Sequence, residues 1–281
     1  MYKRQLYKKF RDDEACSYNP EICLQNHVYS WKKYVRALLD FNKTSKYNYL
    51  LDEWYRDDLD TCISQLKDNN DFDVVLAQYI FCSRSLLHFD DRVLKLIDTH
   101  DVFSNRYRQY LENDEEPVFF SCSPADEARA LDRADASFAI QKGEQKYLRT
   151  LTQKNIIHVG HIVPLHPPTR LRRGHRILFV GSDNSVNVHG ARTFLDEAFG
   201  DIRSECPEAE LVLVGSVCDH ISDAPGLIKQ GAVPMLDTAY EEADVVINPR
   251  RFGTGLSIKS IEAMSWGKPL VSTSAGATGL E

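Results

Sequence analysis

The chain has 281 residues, 43% hydrophobic and 27% charged, with a formal net charge of −7, which fits a globular protein of one large or two ordinary domains. The negative balance excludes a broad electrostatic footprint for nucleic acid. Its two basic runs, Lys3–Arg11 and Arg170–Arg176, read as solvated surface and linker.

Seven cysteines, an odd number with no C-x-x-C spacing, argue against a zinc site or a disulfide framework and for a reducing compartment. No apolar run approaches the roughly 18 residues of a bilayer span. No secretory signal pattern opens the sequence, so a cytoplasmic protein is expected, with peripheral contact at the inner face of a membrane left open.

Residues 1 to about 70 are polar, aromatic-rich and helical in pattern, and the opening MYKRQ reads as foreign to the rest. From Phe72 the character changes. FDVVLAQYIF is a nearly continuous apolar run, expected as a strand buried on both faces. A short helix over Ser83–Phe89 and a second buried strand in VLKLIDTHD follow, then an acidic loop at Asn113–Pro117. Ser123, Pro124, Asp126 and Glu127 make a helix start, with a cap, a proline in the first turn and acids beside it. That helix runs to about Ala134. ASFAIQ predicts a third strand, KGEQKYLRTL a helix and NIIHVGHIV a fourth strand. Such alternation predicts parallel strands joined by right-handed crossovers.

The proline-rich PLHPPTRLRRG, Pro164 to Gly174, reads as a linker between domains. The pattern then restarts. RILFVGS is a strand, Val188–Ser204 a helix, AELVLVGS a strand, Gly226–Val233 a short strand and turn, and DVVINP a strand. Two of these strands end in glycine, as where backbone lines a ligand crevice at the carboxyl ends of a sheet.

The most informative stretch is Asn248–Ala275, NPRRFGTGLSIKSIEAMSWGKPLVSTSA. It predicts a strand end, a two-glycine turn, a helix from near Leu256 to Gly267, a stop reinforced by Pro269, and a strand at LVST. A helix start leaves backbone N–H groups unpaired and carries partial positive charge. Gly253 and Gly255 remove bulk there, so a diphosphate could rest on the backbone. Lys259 and Glu262, three apart, share one side of the helix. A cation for phosphate beside a carboxylate for sugar hydroxyls suits a nucleotide-sugar site; a solvated Lys–Glu pair on an ordinary glycine turn is the alternative.

In that order and spacing, ILFVGS, ECPEAELVLVG and EEADVVINPRRFGTGLSIKSIEAMSWGKPLVSTSAGATGL resemble the retaining glycosyltransferases of family 4 (group 1), which have the GT-B fold. DEWY, FDVVLAQY, KLIDTHDVFSNR, RADASFAIQKGEQ and IIHVGH extend the likeness over about residues 50–281. The resemblance implies an α/β protein of two Rossmann-like parallel-sheet domains facing each other across a cleft. Their expected bounds are 1–165 for a partial acceptor-side domain, 166–175 for the linker and 176–281 for the nucleotide-sugar domain. Family members open with a strand and glycine-rich turn and close with further helices, so a fragment short at both ends is expected.

The resemblance also assigns roles. Glu262 matches the second of two family glutamates and would bond the ribose; the first falls on Thr254, a departure. Gly255, Leu256 and Ser257 match the diphosphate segment, flanked by Gly253. The family's Arg and Lys after the domain's first strand are absent from Gly181-Ser182-Asp183-Asn184-Ser185-Val186-Asn187, leaving Gly181, Ser182 and Asn187 as donor contacts. Lys259 and Arg250 would supply the positive charge. His100 matches the active-site histidine, with Asp101 as a second catalytic candidate and Arg106 nearby.

The implied reaction moves a sugar from a nucleotide-diphosphate sugar to a hydroxyl of a carbohydrate or lipid-linked acceptor, with retention, in polysaccharide or glycoconjugate synthesis. No cofactor is expected, and no metal, since no DxD-type acidic cluster stands at the required place. A nucleotide-sugar epimerase of the same fold and a non-catalytic nucleotide-binding fragment are the alternatives.

Overall fold

Among the described residues, short and mostly apolar runs form nine strands, and every ladder between them is parallel. The computed structural model describes residues 46–167 and 174–280, and the described residues from Tyr47 onward belong to one compact unit. The helical reading of residues 1 to about 70 and the linker reading therefore lie largely or partly outside the described residues.

The first sheet holds β1 (Val74–Gln78), β2 (Leu94–Asp98), β3 (Ala136–Ala139) and β4 (Asn155–His158), in the order β1-β2-β3-β4. Around it lie α1 (Asp58–Asn69), a 3-10 helix at Ile80–His88, α2 (Tyr107–Leu111), α3 (Pro124–Asp132) and α4 (Lys142–Leu148). Ser123 caps α3 as expected, its hydroxyl accepting from the Asp126 amide at 3.1 Å. Glu127 does more than sit in the first turn. It is fully buried, and its carboxylate accepts from the amides of Phe103 and Ser104 at 2.8 and 2.9 Å. That clasp holds the loop after β2.

The second sheet holds β5 (Arg176–Val180), β6 (Glu210–Val214), β7 (Leu227–Gly231), β8 (Val245–Asn248) and β9 (Leu270–Ser272), in the order β7-β6-β5-β8-β9. Its strands alternate between two cores. Phe179, Leu211, Leu213 and Ile247 point into one, and Leu178, Val212, Val214 and Val246 into the other with Tyr240 and Trp266. Both faces are covered, as a parallel sheet requires. The covering helices are α5 (Ser185–Phe194), continued by a π turn at Leu195–Phe199 into α6 (Gly200–Glu205), then α7 (Asp237–Glu242) and α8 (Ile258–Ser265).

Three expectations are corrected. β1 is an edge strand, with Val74 and Leu76 49% and 47% exposed, and Leu94 of β2 is 45% exposed, so neither strand is buried on both faces. The helix expected from Val188 begins at Ser185, because Asn184 caps it by accepting from the Asn187 amide at 2.9 Å. Helix α8 begins at Ile258 rather than Leu256, because Ser257 before it is extended. Among the described residues no helix is long and apolar enough to cross a membrane.

In the second sheet the chain moves outward from β5 through β6 to β7, then returns to place β8 on the other side of β5. The gap between the ends of β5 and β8 is thus a topological switch point, where open α/β sheets bind ligands.

Candidate active site

The loop leaving β8 is built to hold one shape. Asn248, fully buried at the strand end, donates through its side-chain amide to Ser257 Oγ at 2.6 Å, Ser260 Oγ at 2.8 Å and the Gly276 carbonyl at 3.0 Å. The Ser257 hydroxyl is therefore engaged at the base of the turn. Gly253 and Gly255 have φ of 115° and 75°, left-handed backbone that favours glycine. Phe252 between them and the strand is clamped by Tyr110 of α2 and Val186 of α5. Gly190 lets α5 close on the loop, since a Cβ there would lie 3.2 Å from Arg250 backbone. The helix ends as its sequence predicts: Gly267 has φ of 62°, and the Lys268 amide returns to the Ala263 carbonyl at 3.0 Å.

The two amides read as an anion seat are covered by protein. The Gly253 amide donates to Gln109 Oε1 at 2.9 Å, and the Gly255 amide donates to Glu144 Oε1 at 2.8 Å. They face the first-sheet half, as a donor seat between two halves requires, but an amide oxygen and a carboxylate oxygen already occupy it. The open crevice expected there is closed.

His100 and Asp101 come to this same turn. A Cβ at Gly255 would run into Asp101 Oδ1 and lie 3.4 Å from the His100 carbonyl. His100 holds φ of 62°, stacks on Tyr79 at 4.2 Å and pairs through Nε2 with Gln78 Oε1 at 2.5 Å. Burial pushes the Asp101 carboxyl up. Burial, then the charge of Asp101, pushes Glu144 up to about 7. Arg250 is buried; its Nε donates to the Ala275 carbonyl at 3.0 Å, and burial lowers its pKa.

The remaining predicted donor residues form the other wall. Gly181 follows β5, and its carbonyl lies so close to Gly215 that no side chain fits there. Asn187 donates to the Ser182 carbonyl at 3.1 Å and accepts from Lys259 Nζ at 2.5 Å, tying the loop after β5 to α8 across the switch point. Lys259 also lies over the Phe179 ring at 4.4 Å; burial, then the nearby Arg250 charge, lowers its pKa to about 7. Glu262 accepts from the buried Tyr240 hydroxyl at 2.9 Å. Thr254 Oγ1 is buried facing the Asp101 carboxyl, and Leu256 packs beside Gly279.

His100, Asp101, Arg250, Gly253, Thr254 and Gly255 therefore meet, while Lys259 and Glu262 are each drawn to a separate partner. Sequence reasoning missed Gln109, Glu144 and Tyr240. Only Glu144 carried a usable signal: it follows β3 by a few residues, at the carboxyl end of the sheet.

Two parallel sheets with polar loops gathered at a switch point define an open α/β architecture. Residues 174–280 match the family model for glycosyl transferases group 1. No curated protein matches the chain. Among solved structures it is similar to TarM (TM-score 0.62, 13% identity, 78% of this chain and 45% of that one). It is also similar to HepE of Anabaena in complex with UDP and glucose (0.55, 14%, 79% and 65%). A third is the sucrose-phosphate synthase of Thermosynechococcus elongatus (0.60, 16%, 78% and 60%). The chain spans less than two thirds of each, and the likeness is one of fold, the GT-B type.

Proposed function

We propose that this chain supplies the donor-binding half of a retaining glycosyltransferase, with residues of the facing half closing on it. It would move a sugar from a nucleotide-diphosphate donor to an acceptor hydroxyl in polysaccharide or glycoconjugate assembly. The observation that carries this reading is the Gly253–Gly255 turn. It stands at the β5/β8 switch point, turns two amides toward the opposite half, where Gln109 and Glu144 now hold them, and meets Asp101 there. UDP is the nucleotide to try first, because the HepE structure holds UDP and glucose.

Binding begins with exchange. Gln109 and Glu144 give up the amides, and the diphosphate oxygens take them. Glu262, steadied by Tyr240, turns to the ribose. As the bond to the anomeric carbon breaks, charge on the leaving diphosphate is met by these preorganised N–H groups and by Arg250. His100, held by Gln78 and Tyr79, positions the sugar and handles the proton of the incoming hydroxyl. The scheme uses no metal ion, because backbone donors and cationic side chains do that work.

The test is isothermal titration of the protein with UDP, UMP and uridine, followed by transfer from UDP-glucose to a panel of carbohydrate and lipid-linked acceptors. Affinity rising with each phosphate supports the seat. Equal affinity for uridine and UDP removes it.

A further inference from the structure

The donor seat is short of cations. The segment after β5, from Gly181 to Asn187 in the first turn of α5, contains no lysine or arginine. Lys259, the cation nearest the start of α8, is spent on Asn187 Oδ1 and the Phe179 ring, and burial holds its pKa down to about 7. A leaving nucleoside diphosphate carries several negative charges, so Arg250 and a few amides leave it poorly matched.

A cation with only a long ion pair stands across the junction. Arg106, just before α2, has a side chain only 12% exposed, yet its one ion pair among the described residues is a long 3.8 Å contact from Nη2 to Asp101 Oδ2. Its Nε and Nη1 are buried without a partner. The guanidinium lies over Phe119, Phe103 and Tyr110, with centroid distances of 5.2, 5.7 and 5.8 Å, which keep it in place without satisfying its N–H groups. Among the described residues, three buried guanidinium nitrogens of Arg106 and Arg250 lack a partner. Arg250, 8% exposed, contributes Nη2. Unpaired donors on two buried guanidiniums at one place are costly, and such groups call for an anion that the chain does not supply.

We infer that Arg106 is a donor-binding residue supplied from the first-sheet half: with Arg250 it clamps the diphosphate of the nucleotide sugar between the two sheets. In the structure described here Asp101 fills part of that place, its Oδ1 against Gly255 and its Oδ2 toward Arg106. When the diphosphate takes the Gly253 and Gly255 amides, it comes within one carboxylate's width of Arg106. The clamp thus makes donor binding depend on the closed arrangement of the two halves, as neither half holds both arginines. This rests on the nucleotide-diphosphate reading above.

The experiment titrates UDP and uridine into the native chain, Arg106→Met and Arg106→Lys, with thermal unfolding run alongside. Methionine keeps an apolar stem against the three aromatic rings, and lysine keeps the charge without the fork. Losing a charge-assisted contact predicts that Arg106→Met binds UDP about 10- to 100-fold more weakly while its affinity for uridine is unchanged, with Arg106→Lys in between. A folded Arg106→Met with the native ratio of UDP to uridine affinity overturns the clamp and leaves the seat standing. A native chain that does not distinguish UDP from uridine overturns the seat itself, and the clamp with it.

Discussion

The Gly255 amide and the Glu144 carboxylate, 111 residues apart in the chain, are joined by a 2.8 Å hydrogen bond. A carboxyl oxygen on a left-handed glycine amide sits where a phosphate oxygen would, so Glu144 stands as a rival to the proposed ligand. Removing the rival should help the ligand. Glu144→Ala is predicted to bind UDP roughly 5- to 30-fold more tightly, the worth of one charge-assisted hydrogen bond at its lower end. Titration calorimetry reads this, and unchanged affinity would show that Glu144 does not compete.

The same carboxyl sets a pH dependence of stability. Unfolded, it titrates near ~4.3; folded, burial and Asp101 raise it to about 7. Between those values the native form keeps a proton that the unfolded form has lost, so native stability falls as pH rises through that window. Below it Glu144 costs nothing; above about 7 the burden is complete, at most about 4 kcal/mol. Glu144→Gln lacks this slope. Its stability relative to the native chain should climb from pH 4.5 to 7.5 and then level, as followed by urea unfolding at each pH.

Lys259 titrates in the opposite sense. Burial and Arg250 hold it near 7, so at pH 8 most of it is neutral in the free protein. A bound diphosphate favours the charged form, and binding should take up a proton. Calorimetry of UDP binding at pH 8 in buffers of different ionisation enthalpy should report an uptake approaching about one proton. Lys259→Met should abolish most of it while leaving the Asn187 side free to repack.

His100 carries backbone strain at a proposed catalytic position, with φ of 62° in a residue other than glycine. Strain of this kind costs on the order of 1 kcal/mol and persists where function requires it. His100→Gly should therefore unfold at an equal or higher urea concentration than the native chain, despite losing the Gln78 and Tyr79 contacts. Transfer activity should fall by about 10²–10⁴-fold with UDP affinity kept. A variant with native turnover would take His100 out of the chemistry.

Much of this molecule was legible because its signals are local. Gly267 stops α8, Ser123 caps α3, and RILFVGS and AELVLVGS become β5 and β6 nearly to the residue. Each depends on neighbours a turn or a strand away. The two-glycine turn was readable for the same reason, since left-handed backbone selects glycine at Gly253 and Gly255. What covers that turn was not readable. Gln109 and Glu144 reach it from distant parts of the chain, and KGEQ looks like any polar helix start until the halves come together. The exposure of Val74 and Leu76 was hidden too, because an apolar run reads alike whether or not anything covers its second face. Arg106 was visible only as a residue near His100; its unpaired N–H groups belong to the packing of Phe103, Tyr110 and Phe119.

The most direct test of the seat observes the amides themselves. With 14 glycines in the chain, protein labelled with ¹⁵N at glycine alone gives a spectrum simple enough to follow Gly253 and Gly255, assigned by substitution. Added UDP should move both signals as the diphosphate replaces Gln109 and Glu144, and added uridine should leave them in place. If UDP binds while both signals stay where they were, the turn does not hold the diphosphate, and the proposed reaction loses its site.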